Sequence, residues 1–182
     1  MKKFTSIFMI FLLCFVASIA QNKVNFSGDW ELNTEKSKLD ARSRIEAMIM
    51  KVTQSDKELR VETQTKYKSA MEGRSDTNQG MRRGNFLMSS DMPLVYSLDG
   101  KERTINQETP MGTFPVSLRA KLDENGTLKL TRVRVLSTPM GEISISSKEV
   151  WKLGEDGRTL TIKQEIETPR GVMTSEMFFI KK

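Results

Sequence analysis

Two kinds of turn alternate along the second half of this chain, and together they leave little choice of fold. Thr109-Pro110-Met111-Gly112 recurs as Thr138-Pro139-Met140-Gly141 and as Thr168-Pro169-Arg170-Gly171, at steps of 29 and 30 residues. Alternating with these are Asp99-Gly100, Asn125-Gly126 and Asp156-Gly157. Asx-Gly pairs tolerate positive φ at successive positions, which two-residue hairpins demand. In the other class, proline presets φ for the first central residue, and the glycine accepts the left-handed conformation of a bulge. Each turn reverses the chain. Reversals at such even spacing predict a β meander.

The segments between the turns carry the two-residue period of half-buried strands. Phe114, Val116, Leu118, Ala120 and Leu122 alternate with Ser117, Arg119 and Lys121. Ile143, Ile145, Trp151 and Leu153 share one parity, with Ser144, Ser146, Lys148 and Lys152 on the other. Leu160, Ile162 and Ile166 alternate with Thr159, Thr161, Lys163, Glu165 and Glu167. Strands of roughly 10 residues are long, and up-and-down barrels use such lengths.

The first half is less regular. Phe26 to Asn33 reads as a strand. Met48 to Gln54 and Leu59 to Tyr67 read as a hairpin across Ser55-Asp56-Lys57-Glu58. In Lys36 to Met48, the residues Ala41, Ile45 and Met48 fall on one helical face, which predicts one or two helical turns. Residues 68–92 form a long polar connection carrying Arg74, Arg82 and Arg83, a candidate lid or a solvated loop. The expected fold is all-β, an up-and-down antiparallel barrel of about nine or ten strands.

Residues 1–20 read as a cleavable export signal. Lys2 and Lys3 precede the apolar run Ile7 to Val16, and Ala17-Ser18-Ile19-Ala20 supplies small residues where a signal peptidase reads. The run is shorter than the roughly 20 residues a membrane span needs, so no transmembrane anchor is expected after cleavage. Cys14, the one cysteine, follows Leu13 and so does not fit a lipidation site. Residues 21–182 then form one domain, periplasmic or extracellular, stabilised by its core without disulfides.

The chain has no histidine. Imidazole acid–base catalysis, Ser-His-Asp triads and Cys/His zinc sites are thereby excluded for residues 21–182. No cofactor or metal is implied. The formal charge is +6, with Lys and Arg interleaved with Glu and Asp rather than gathered in a basic stripe, so no nucleic-acid partner is expected. Methionines are scattered without the tight spacing of a copper(I) site, and read as adaptable packing.

Phe26-Ser27-Gly28-Asp29-Trp30-Glu31-Leu32-Asn33 sets a Gly-x-Trp at the start of the first strand. This resembles the lipocalin signature. Asn33-Thr34-Glu35-Lys36-Ser37-Lys38-Leu39 is similar to the start of exported bacterial lipocalin-like proteins. Glu149-Val150-Trp151-Lys152-Leu153, a glycine-flanked turn and Thr159-Leu160-Thr161-Ile162 resemble their closing pattern. The resemblance implies a calycin-type barrel around a cavity for a small apolar ligand. It implies that Gly28 and Trp30 are structural, with Trp30 plugging the closed end beneath an arginine from a late strand. Arg158 and Arg170 are both late enough.

Four residues are candidates for ligand binding. Leu128, Leu130, Arg132, Arg134 and Leu136 share a parity, so a regular strand points both arginines inward. A guanidinium fork there suits a ligand carboxylate, as in fatty-acid-binding barrels. A single bulge would instead put Val133 and Val135 inside and the arginines out, which spares two buried charges and is the more economical arrangement. Tyr96 and Gln164 also lie on apolar parities, as cavity-lining groups or as satisfied core polar groups. Glu149 and Glu176 share parities with Trp151 and Phe178, a remote basis for acid–base work.

The expected function is that of an exported, non-catalytic binding protein for a small hydrophobic or amphipathic ligand. The rival expectation is an envelope structural or interaction protein, with a filled barrel core and a protein partner. It rests on the final strand, which is apolar on both faces: Val172, Phe178 and Ile180 against Met173, Met177 and Phe179.

Overall fold

The computed structural model describes residues 24–68, 92–109, 112–138 and 141–182. The expected export signal and nearly all of the 68–92 connection, with its arginines, lie outside the described residues. Ten strands are present among the described residues: β1 (Gly28–Leu32), β2 (Ile45–Gln54), β3 (Glu58–Tyr67), β4 (Leu94–Ser97), β5 (Arg103–Thr109), β6 (Gly112–Leu122), β7 (Leu128–Thr138), β8 (Gly141–Leu153), β9 (Thr159–Thr168) and β10 (Gly171–Lys181).

The strands form one antiparallel sheet in the order β4-β3-β2-β1-β10-β9-β8-β7-β6-β5, rolled into a nearly closed up-and-down barrel. The seam lies between β4 and β5. An isolated bridge from Asp99 to Lys121 ties the β4 end to β6. β1 pairs with β10, so the two ends of the chain meet in the wall, with Trp30 opposite Lys181 and Leu32 opposite Phe179.

Strict alternation of direction sorts the turns. The Asx-Gly turns all fall at one end of the barrel, with Val24 and Lys181. The Thr-Pro-x-Gly turns all fall at the other, with the 33–44 connection. In each of the latter, threonine pairs with the glycine three residues on: Thr109 with Gly112, Thr138 with Gly141, Thr168 with Gly171. These glycines have φ of 122°, 114° and 112°, a region closed to most side chains.

No helix occurs among the described residues, so the helical turns expected in 36–48 are absent. The stretch makes two turns and a bridge from Lys38 to Glu176, then enters β2. The helical spacing has another cause. A bulge between Ile45 and Ala47 inserts one residue, so Ile45 and Met48 both face the interior although three positions apart.

The closed end is solid. Phe26, Trp30, Leu118, Leu128, Trp151, Leu160 and Phe179 are fully buried there. Burial of each such side chain contributes roughly 1.5–3 kcal/mol. Phe26 and Trp151 meet edge to face, with ring centres 6.0 Å apart. The incoming chain is locked beneath them. The Trp30 indole N–H donates to the Phe26 carbonyl at 2.9 Å. Gln54 accepts the Phe26 N–H and donates to the Val24 carbonyl, each at 2.9 Å.

Trp30 is fully buried at this end. Its cation is neither arginine suggested by the sequence. Lys181 places its ammonium 5.4 Å from the Trp30 ring centre. Arg158 contributes only its carbonyl, to the Lys181 N–H, and Arg170 belongs to a turn at the far end. Gly28 makes this arrangement possible. Its φ is 148°, and a Cβ there would run into the Lys181 stem.

Gly28→Ala is expected to destabilise the barrel by about 1–3 kcal/mol in a urea melt, because backbone strain adds to the clash. Pairing it with Lys181→Ala removes the clash alone. Most of the loss persists in that double variant if backbone strain dominates.

Candidate functional site

Above the solid end the inward side chains become smaller and more polar, and a cavity of about 120 Å³ opens. Trp151, Phe179 and Leu130 line it. Its walls carry Met48, Met50, Met92, Met173 and Met177 beside Thr63, Thr65, Tyr67 and Ser175. Asp40 and Ser43, from the connection between β1 and β2, also line it. A cavity of about 150 Å³ in an engineered core takes up benzene, so this space suits a compact ligand.

The regular register decides the orientation of the arginines. β7 pairs with β6 and with β8 without any shift. The bulge that would have turned the arginines outward is absent. Arg132 and Arg134 both face the interior, while Val133 and Val135 lie half-buried on the outer wall. Arg132 lines the cavity, half-buried. Arg134 is 7% exposed and one pair nearer the open end. Burial, with the Arg132 charge beside it, lowers the Arg134 pKa to about 10.

Tyr96 and Gln164 both line the cavity. Tyr96 is buried, and loss of hydration raises its phenol well above the usual tyrosine range. The arginines pull that value back and Glu149 pushes it further up. The Gln164 amide donates to Glu149 Oε1 at 2.9 Å, and the Trp151 indole N–H donates to Glu149 Oε2 at 2.8 Å. Arg132, Tyr96, Glu149 and Gln164 thus surround one space.

Glu149 is the site residue that the strand pattern alone undervalues. Glutamates on barrel strands usually meet solvent. The available signal was parity: Ser147 and Glu149 lie in step with Trp151, which is buried. Glu176 is different. It faces outward, 3.8 Å from Lys163, so the wall of the barrel separates the two carboxylates and they form no acid–base pair.

The mouth is laced by Asp40. Arg42 grips its carboxylate through two side-chain bonds of 2.9 and 2.8 Å and reaches the Val172 carbonyl on β10 at 2.7 Å. These bonds, with one from the Arg42 N–H, lower the Asp40 pKa from 3.8 to about 2. The folded value is depressed, so the contribution is present above pH 3.8 and is lost as the pH falls toward 2. Amide protection at Asp40 and Ser43, corrected for intrinsic exchange, is expected to fall severalfold between pH 5 and about 2 while β6–β9 hold. Asp40→Asn is expected to remove that pH dependence.

The barrel is compatible with a lipocalin-like build. Protein-family models, curated proteins and solved structures offer no match to this chain.

Proposed function

We propose that this chain is an exported, non-catalytic binding protein of lipocalin-like build, holding a small hydrophobic or amphipathic molecule in the upper half of its barrel. One observation carries this reading. Arg132 reaches the cavity, and among the described residues no hydrogen bond or ion pair engages its guanidinium. A half-buried cation in a methionine-rich lining is costly until something neutralises it. A ligand carboxylate, or another planar anion, supplies the partner in bidentate geometry, and its apolar tail lies against the methionines.

The outer wall supports a water-facing carrier. Its charges are interleaved and paired, across strands in Lys148–Glu167 and Lys66–Glu46 and from strand to turn in Lys129–Asp123, each at 2.7 Å. That pattern favours neither nucleic acid nor lipid on the outside. The export signal supports a periplasmic or extracellular location.

A second reading, an envelope interaction protein with a filled core and a protein partner, draws on the outer face of β10. Val172 is 51% exposed and Ile180 42% exposed. Phe178 lies between them, covered by the Lys36 ammonium at 5.2 Å.

Trp151 lines the cavity and reports on it. Titration with decanoate is expected to quench Trp151 fluorescence saturably. Arg132→Ala is expected to weaken decanoate binding by about tenfold or more, the worth of a charged hydrogen bond. An unresponsive protein that also carries no small molecule in native mass spectra transfers the weight to the interaction reading.

A further inference from the structure

The interior holds an acceptor that binding at Arg132 alone does not use. Glu149 faces the cavity from β8, with Trp151 two residues along its own strand and Gln164 opposite it on β9. Both donate to it, one to each oxygen. A carboxylate oxygen has two acceptor positions, so each keeps one more. On the β7 side, Leu130 stands opposite Glu149, and Arg132 stands opposite Ser147 one pair nearer the mouth. Arg132 and Glu149 are thus diagonal neighbours on one inner face. Among the described residues no ion pair joins them.

Ser147 stands opposite Arg132 but outside the lining of the cavity. It is 4% exposed, and its hydroxyl has no hydrogen-bond partner among the described residues. The cavity itself presents one donor, the Arg132 guanidinium, next to one acceptor, Glu149.

A plain fatty acid meets only half of this. Its carboxylate satisfies Arg132, and it brings a second negative charge toward Glu149 with no bond to offset the repulsion. A hydroxyl on the adjacent carbon turns that repulsion into a hydrogen bond. We propose that the head-group subsite has two poles and selects a short-chain carboxylate with a donor on the adjacent carbon, a 2-hydroxy acid being the simplest case. The carboxylate lies on Arg132, and the hydroxyl donates to Glu149. A cavity of about 120 Å³ fits such a head with a short branched tail better than a long chain. This rests on the binding reading above and names the ligand class for that same cavity.

The test compares 2-hydroxyisovalerate with isovalerate by calorimetry on the purified chain. The hydroxy acid is expected to bind about tenfold tighter, since it adds a hydrogen bond to a charged group. Glu149→Gln keeps the shape and an acceptor for Trp151 but removes the charge. It is expected to cut the advantage at least threefold, or about that, while isovalerate itself binds as well or better. Ser147→Ala, outside the lining of the cavity, is expected to leave the ratio of the two acids intact. Equal affinities in the unmodified chain overturn the two-pole subsite, as does an advantage that survives Glu149→Gln or vanishes in Ser147→Ala. If decanoate binds while the two short acids do not differ, only this subsite falls. If no acid binds, the binding reading falls with it.

Discussion

The pairing of β1 with β10 is the contact on which the barrel depends. Every other ladder joins strands adjacent in sequence, and such ladders alone would leave two separate sheets, β1–β4 and β5–β10. The short ladder Trp30–Lys181, Glu31–Ile180 and Leu32–Phe179 makes them one. Its partners are about as distant as this chain allows, so the loop entropy is large and must be met at one place. The strongest local interactions gather there: the Trp30 indole on the Phe26 carbonyl, Lys181 over the Trp30 ring, and Gln54 holding both Val24 and Phe26. Gly28 belongs to this set because the ladder and the lysine stem need the space its side chain would fill.

From that end to the other, the interior changes character along each strand. β8 passes from Trp151 through Glu149 to Ser147, and β7 from Leu128 through Leu130 to Arg132 and Arg134. The aromatic half supplies cohesion. It is what allows the upper half to keep charged and hydroxyl groups off the apolar optimum without loss of the fold. The division follows a general trade: a site that must recognise polar atoms carries desolvated groups of its own, and a rigid base elsewhere offsets their cost.

Much of this architecture was legible in the sequence because the turns are. Thr-Pro-x-Gly and Asx-Gly pairs act locally, through φ preferences that tertiary packing does not reverse, and they located the hairpins from β5 onward. The 36–48 stretch misled for an equally physical reason. A bulge in β2 makes Ile45 and Met48 share a face at a spacing that a helix also produces. Arg132 and Arg134 posed the opposite difficulty. Their parity pointed inward, and the expense of burying charge argued for a slip that the ladders do not make. The partner of Trp30 was missed because Lys181 reaches the ring only through the β1–β10 pairing, a contact with no local signature. Ser147 and Glu149 were readable from parity with Trp151, but polar residues in step with an aromatic give no indication of what they bond.

The sorting of the turns has a consequence for how the molecule is oriented. Val24 and Lys181 both emerge at the solid end, and the Thr-Pro-x-Gly hairpins ring the end toward which the cavity opens. A tether on either terminus therefore grips the barrel by its base, as a stem holds a cup. Attached to a bead, a bilayer or another domain through Val24 or Lys182, the barrel turns its mouth toward the surrounding solution, and exchange of a bound molecule proceeds on the side away from the attachment.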